Sequence, residues 1–372
     1  MRVLVAMSGG VDSSVAAARL HDAGFDVVGV TLHLWDYEEA PGSGDHGRCC
    51  APEDEYDAHR VADKLGIPHY TFDRRELFAR TVVQPFVDAY AAGETPSPCT
   101  ACNRSVKLAE LFALADRLGA EHVATGHYAR VERVEVAGES APRLAMGRDR
   151  SKDQSYFLYA TPSAWLRRMI FPLGDSTKAE VRAEAVARAL PGAGKGESQE
   201  LCFVGTAPHA YADFVERRAG DRLRPGPVVD EDGRVVGQHE GVHRFTVGQR
   251  KGLGVAVGRP VFVQRIDAET ATVHLGTARA LHAQSAAIED VVIAERVRLP
   301  LRARVRVRYR HEGDSAEIVA DPCGDPSRAR VAFEAPVRAV TPGQVAVFYD
   351  DGDRVLGGGR ITAPRASTAS LG

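Results

Sequence analysis

Two stretches of this sequence place chemically capable residues at a telling spacing. The first is Ser8-Gly9-Gly10-Val11-Asp12-Ser13-Ser14, directly after the apolar run Val3–Met7. Paired glycines let a backbone turn sharply, so that its N–H groups approach an anion closely. The serines can donate to phosphate oxygens, and a helix starting there points its positive end at them. The Lys of the pattern Gly-x4-Gly-Lys-[Ser/Thr] is missing, which sets this loop apart from standard P-loop enzymes. Asp12 beside phosphates suggests Mg2+ on a pyrophosphate. The plainer reading is a strand-to-helix turn with Ser as N-cap.

The second stretch is Thr95-Pro96-Ser97-Pro98-Cys99-Thr100-Ala101-Cys102-Asn103-Arg104, leading into a helix at Val106. A thiol near a helix N-terminus and an Arg is shifted toward thiolate, which suits nucleophilic attack or sulfur transfer. Far along the chain Cys202 stands in Glu197–Val204, just after the glycine-rich Pro191–Gly196. Flexible glycines there fit a thiol that swings between a sulfur donor and a substrate; taken alone, Cys202 reads equally well as a small buried hydrophobe. Cys49-Cys50 lies in a loop rich in Gly and Asp, where plain variation or donor docking are both open, and Cys323 carries no chemical signal.

The elements that must position these groups fall into three regions. Strands at Val3–Met7, Val27–Leu34, His69–Asp73 and His122–Thr125 alternate with helices at Ser13–Ala23, Glu53–Leu65, Leu77–Tyr90 and Val106–Leu118. That alternation predicts an α/β, doubly wound parallel sheet with ligands at the carboxyl ends of its strands. A helix at Lys178–Ala189 closes the first domain, 1–206. Dense Gly and Pro then predict a small, mostly β central domain over 207–280. Val291–Val297, Arg302–Tyr309, Arg328–Phe333 and Gln344–Tyr349 read as strands of a C-terminal domain, 281–372, with the compact antiparallel barrel as its expected form. Asp351-Gly352 fits a hairpin turn, and Ala366–Gly372 reads as a frayed end.

With 372 residues, 44% hydrophobic and 26% charged, the chain can bury a sizeable core. A net charge of −3 means that any nucleic-acid contact must come from a local basic patch. No apolar run suits a membrane span, and the first residues lack a signal-like core. Six cysteines in so long a chain do not make a disulfide scaffold, and the expected setting is a reducing cytoplasm. Leu301–Arg310 alternates strictly, so a strand there puts Arg302, Arg304, Arg306, Arg308 and Arg310 on one face. Side chains two apart on a strand stand ~6.6 Å from each other, close to a phosphate repeat. A solvated strand edge is the competing reading.

The loop Ser-Gly-Gly-x-Asp-Ser resembles that of the ATP-pyrophosphatases, which adenylate an oxygen and release pyrophosphate. Further along, Thr95–Asn103, Thr125–Arg130, Lys152–Leu158, Phe171–Gly174 and Phe245–Leu253 look like tRNA-specific 2-thiouridylases in the same order. With Thr341–Gln344 and Gly357–Gly359, the resemblance spans nearly the whole chain. It implies a tRNA uridine 2-sulfurtransferase. ATP would lie on Ala6, Met7, Ser8, Gly9, Gly10, Val11, Asp12 and Ser13, with Leu32 and Gly126. Cys102 would be the nucleophile and Cys202 the persulfide carrier, the two forming a transient disulfide. Contacts to tRNA would come from Ser97, Pro98, His127, Lys152, Asp153, Gln154, Arg308, Tyr309, Arg310 and Gln344. A cysteine desulfurase or sulfur relay and a reducing thiol would be the partners.

One departure matters. Many members of the family carry Asp where Cys99 stands, so the base is open here. Cys99, Cys102 and Cys202 could instead hold three corners of a [4Fe–4S] cluster, and a zinc site would draw on His127 as a fourth ligand. Two other functions compete: a small-molecule ATP-pyrophosphatase ligase, which leaves Cys202 and the arginines without a task, and a non-enzymatic RNA-binding or iron–sulfur protein, which leaves the loop without one.

Overall fold

The computed structural model describes residues 1–36, 52–196, 201–205 and 210–363. Cys49, Cys50, Glu197–Glu200 and Ala366–Gly372 lie outside the described residues. The N-terminal region holds β1 (Arg2–Ala6), β2 (Asp26–His33), β3 (His69–Asp73), β4 (His122–Ala124), a hairpin of β5 (Ala129–Val136) and β6 (Glu139–Met146), and the short β7 (Met169–Ile170). Five of these form a parallel sheet in the order β3-β2-β1-β4-β7. Strand β1 is covered on both faces: Val3 and Val5 pack with Val27, Ala58 and Val61, while Leu4 joins Val30 and Leu32 in the largest core. An unbroken apolar run is what a two-faced parallel strand requires. The expected helices are present at Val11–Asp22, Pro52–Leu65 and Lys178–Ala187. The hairpin β5–β6 and strand β7 are additions to the sequence reading.

The helix expected from Leu77 is a continuous helical run from Arg75 to Ala91, with a wider π-type turn over Ala79–Val83. A second such run starts earlier than expected. Pro98–Cys102 leads through a π-type turn at Asn103–Lys107 into Leu108–Arg117. Cys99 and Cys102 therefore sit inside the first turns of a helix and not in a loop before it. Single π turns mark functional sites more often than chance allows.

The central domain packs helix Ala210–Ala219 beside β8 (Gly226–Val229), β9 (Val235–His239), β10 (Phe262–Asp267) and β11 (Thr272–Gly276), in the order β10-β11-β8-β9. The C-terminal strands β12 (His282–Ile293), β13 (Leu301–Arg306), β14 (Asp314–Ala320), β15 (Ala329–Arg338), β16 (Val345–Tyr349) and β17 (Val355–Thr362) close into a six-stranded antiparallel barrel. Strand β12 begins well before the expected Val291, because its Ala- and Ser-rich half offers no β-branched signal. Strand β16 joins two cores by alternation: Ala346 and Phe348 face the barrel interior, while Val345, Val347 and Tyr349 pack against the N-terminal domain.

The arginine stripe needs correction. Strand β13 stops at Arg306, and the chain then turns through Val307–Arg310. Arg306 is only 8% exposed. Its Nη1 donates to Asp153 Oδ2 at 3.1 Å, its Nε to the carbonyl of His311 at 2.6 Å, and its Nη2 to the carbonyl of Tyr309. A buried guanidinium must be paired, and satisfying it folds the following residues back over the strand end. Five arginines do not share one solvent face; Arg308 and Arg310 are presented by a turn.

Candidate active site

At the carboxyl end of β1 the loop is held by its own serines. Ser13 Oγ and Ser14 Oγ donate to the Gly10 carbonyl at 3.1 and 2.9 Å, and Ser8 N donates to Ser13 Oγ at 3.1 Å. Gly9 takes φ +71°, and a Cβ there would lie 1.9 Å from the Asp54 carbonyl oxygen, so no other residue fits. Gly126 backs the loop from β4: its Cβ would meet the Asp12–Ser13 peptide at 2.8 Å. Backbone N–H groups at the start of helix Val11–Asp22 are thus free to face an anion. Met7 and Leu32 support the loop from the sheet, Met7 through Thr31 Oγ1, which donates to its carbonyl at 2.6 Å.

Two lysines that the sequence reading passed over stand at this loop. Lys178 Nζ donates to both Asp12 carboxylate oxygens at 2.8 and 2.7 Å, and Tyr128 OH donates to Oδ1 at 2.8 Å. Lys178 opens a helix fixed by a capping box, Thr177 with Glu180. The Thr177-Lys178-x-Glu180 spacing was a readable signal, and only its helical half was used. Lys195, from the glycine-rich segment, pairs with Asp54 at 2.7 Å and Asp57 at 2.5 Å. Burial alone would lower its pKa, but the two carboxylates hold it raised. Lys195 is therefore held to the helix Pro52–Leu65 by two ion pairs.

A cleft of about 1410 Å³ opens beside the loop. Its walls carry Ser8, Gly10, Val11, Asp12 and Ser13 from the loop, then Ser97, Pro98, Cys99 and Cys102, then Cys202. His127, Lys152, Gln154, Arg308, Tyr309, Arg310 and Gln344 complete the expected residues on its surface. Cys102 is buried at 5% exposure, Cys202 is half-buried and Cys99 is exposed. Cys202 is positioned by its neighbour: the Phe203 ring sits 5.1 Å from Phe86, 5.3 Å from Phe214 and 5.6 Å from Phe78, centroid to centroid. Ala6, Met7, Gly9, Leu32 and Gly126 stand behind the wall and shape it.

Asp153 also stands behind it. At 2% exposure it accepts from Gly147 N, Ser155 N, Ser155 Oγ and Arg306 Nη1 at 3.0–3.2 Å. Its carboxylate oxygens are spent inside the protein, where they hold the turn that carries Lys152 and Gln154. Gln344 is likewise engaged: its Nε2 donates to the Thr95 carbonyl at 2.8 Å, fixing the barrel to the cysteine segment. His127 Nδ1 lies 2.7 Å from Thr125 Oγ1, and burial, with the Lys107 charge second, lowers its pKa to about 3. It is neutral at physiological pH.

Nine Lys and Arg side chains line the cleft against four Asp and Glu, in a chain whose net charge is −3. Lys107 and Arg150 join the expected Lys152, Arg308 and Arg310. The local basic patch required for an RNA ligand is here, next to a phosphate-sized loop and two thiols. Among the described residues, no group of three His, Cys, Asp or Glu is gathered as for one metal ion. The three cysteines share a cleft without assembling as cluster ligands, and His127 is turned to Thr125. Asp12 alone suits Mg2+, which takes one or two carboxylates and completes its shell with phosphates and water.

The sequence matches the family described as tRNA methyl transferase HUP domain over residues 1–206. It matches the tRNA methyl transferase PRC-barrel domain over 212–277 and the aminomethyltransferase beta-barrel domain over 287–361. It is 63% identical to the tRNA-specific 2-thiouridylase MnmA of Sorangium cellulosum, covering 99% of this chain and 94% of that one. It is 46% identical to the protein of the same name from Moorella thermoacetica, covering 96% and 98%. A solved 4-thiouridine synthetase–RNA complex with bound ATP is 14% identical, with TM-score 0.33 over 59% of this chain and 51% of that one, a likeness too slight to carry an inference. Identity at this level along the full length, on top of a phosphate loop and two thiols that share a basic cleft, places the chain in the tRNA-specific 2-thiouridylase family.

Proposed function

We propose that the cleft adenylates O2 of the wobble uridine (position 34) of a tRNA and then replaces that oxygen with sulfur. What supports this reading above all is that Cys102 and Cys202, remote in sequence, line one cleft with the Ser8–Ser13 loop. A carbonyl oxygen is a poor leaving group, so ATP first converts it to an AMP ester and pyrophosphate leaves. The loop N–H groups and Lys178 stabilise the phosphate charge that develops. Mg2+ on Asp12, in exchange with Lys178, would supply further neutralisation when bound. A cysteine desulfurase or relay protein loads Cys202 as a persulfide. The Cys102 thiolate attacks the Cys202 sulfur, forming the Cys102–Cys202 disulfide and releasing the outer sulfur as hydrosulfide. Hydrosulfide adds at C2, AMP departs, and two electrons from an external thiol restore both cysteines.

The target base lies in a single-stranded loop, so it can be turned into the cleft at little unpairing cost. Lys152, Arg308 and Arg310 hold phosphates around it, and Ser97, Pro98 and the π-type turn frame the base. Cys99 takes the position of the base in relatives, one turn before Cys102. The expected setting is the cytoplasm; among the described residues no helix is long and apolar enough to cross a membrane.

The test is reconstitution. Protein, ATP, a persulfide donor and unmodified tRNA should yield 2-thiouridine, AMP and pyrophosphate. Cys102→Ser and Cys202→Ser should each abolish sulfur incorporation while adenylation persists, and Cys99→Ala should slow the reaction only if that thiol moves a proton. Absence of 2-thiouridine with folded protein and an active donor would reject the reading. Pyrophosphate release driven by a metabolite without RNA would favour the small-molecule ligase.

A further inference from the structure

The thiolation cleft leaves one basic element unused, the loop Gly248–Pro260 of the central domain. Arg250 and Lys251 are adjacent and exposed, and among the described residues neither has an ion-pair partner. The loop that carries them is rigid at its base. Gly248 N donates to the Val263 carbonyl at 2.8 Å, Val263 N to the Gln249 carbonyl at 2.9 Å, and Gln249 Nε2 to the Lys251 carbonyl at 2.9 Å. Leu253 is buried in the central core. Beyond it the loop walls a concavity of about 610 Å³ that ends at Arg259.

Contacts on two sides join the base of this loop to the edge of the cleft. Thr95, the first residue of the segment that leads to Cys99, donates from Oγ1 to Thr246 Oγ1 at 3.3 Å, two residues before the loop. On the other side Arg308 Nη1 donates to the Arg338 carbonyl at 3.1 Å, Arg338 covers the Phe262 ring at 5.1 Å, and Ala339 lies against Gly248. Packing therefore runs from Arg308 through Arg338 and Ala339 to Gly248, at the base of the loop that presents Arg250 and Lys251.

Resting on the thiolation reading, we propose that Arg250 and Lys251 bind backbone phosphates of the stem that carries the target loop. A nucleic-acid backbone is the ligand that suits adjacent exposed cations on a loop whose base packs beside an RNA cleft. Adjacent phosphates of one strand, unlike a lone anion, extend along such a track. The loop positions the duplex part of the substrate while the cleft handles the unpaired base.

The experiment compares the wild type with an Arg250→Ala/Lys251→Ala double variant, using unmodified tRNA and a single-stranded oligonucleotide of the anticodon-loop sequence. Each neutralised phosphate contributes a slope of about −0.9 to log K against log salt. Loss of two should lower the tRNA slope by about 1.8 and, referred to 1 M salt, weaken tRNA binding about 30-fold at 0.15 M. Affinity for the single strand should stay as in the wild type, KM for tRNA should rise, and kcat should be retained. An Arg250→Lys/Lys251→Arg exchange should restore the slope. An unchanged tRNA slope overturns the proposal, as does an equal loss for the single strand. Normal tRNA binding with slower transfer from a protein persulfide donor, but not from inorganic sulfide, also overturns it and assigns the loop to the donor. Because RNA binding is read apart from turnover, a wild type that binds tRNA but makes no 2-thiouridine refutes the thiolation reading and leaves this test intact.

Discussion

The buried pair Asp153–Arg306 makes a quantitative prediction. Side-chain exposures of 2% and 10% put both charges out of water, at the junction of the N-terminal domain and the barrel. The pair holds two segments at once. Asp153 fixes the turn carrying Lys152 and Gln154, and Arg306 fixes the turn carrying Arg308 to Arg310. In Asp153→Asn, Oδ1 can still accept from Gly147 N and Ser155 N, but an amide NH2 then faces Ser155 Oγ and the guanidinium. Removing one partner of a buried ion pair costs about 3–5 kcal/mol, because the other charge is left uncompensated. Arg306→Met removes the charge at similar volume and strands the carboxylate instead. The double variant strands neither, so its cost should fall well below the sum, with a coupling of about 2–3 kcal/mol. Urea denaturation of the four proteins measures this, and tRNA affinity should follow the same order while ATP binding by the N-terminal loop is retained. Additive losses with coupling below about 0.5 kcal/mol would refute the argument.

Other outcomes follow from single contacts. Gly9→Ala drives a Cβ into the Asp54 carbonyl and strains φ +71°, so calorimetry should show ATP affinity down at least tenfold with tRNA binding intact. Phe203→Ala opens a void in the aromatic cluster, of a kind that costs about 3–5 kcal/mol. Single-turnover sulfur transfer should slow while pyrophosphate release continues, since Cys202 loses its anchor and the phosphate loop does not. Acid should destabilise the fold through two histidines. Burial, with the His59 charge second, lowers His69 to about 4, and His127 stands at about 3, both below the ordinary 6.5. Both bind protons in the unfolded chain first, so the stability they confer is complete above pH 6.5 and declines as pH falls from there toward 4. Urea midpoints at pH 7 and 5 should converge in a His69→Gln/His127→Gln variant relative to wild type.

The sequence exposed those parts of the site whose chemistry is local. Ser8–Ser13 is readable because two glycines and a helix start must be contiguous to make an anion cradle, and β3 was readable to the residue because His69–Asp73 is bounded by a Pro and a helix start. The hairpin β5–β6 escaped because Val131 and Val134 stand three apart, a helical spacing, and only Val134 and Val136 keep the strand period. What could not be read is the fate of a charge whose partner lies in another domain. Asp153 and Arg306 both looked like RNA contacts, one by resemblance and one by its place in an alternating row. Each is instead spent on the other, 153 positions away, and together they set where Lys152, Arg308 and Arg310 stand. Lys195 shows the same logic: it stands among glycines in sequence, and its two carboxylate partners lie on a distant helix. Arg306 is spent inside the fold on Asp153 and two carbonyls, whereas Arg308, Arg310, Arg250 and Lys251 are exposed. That is the physical reason to look for RNA at Arg308, Arg310, Arg250 and Lys251 and not at Arg306.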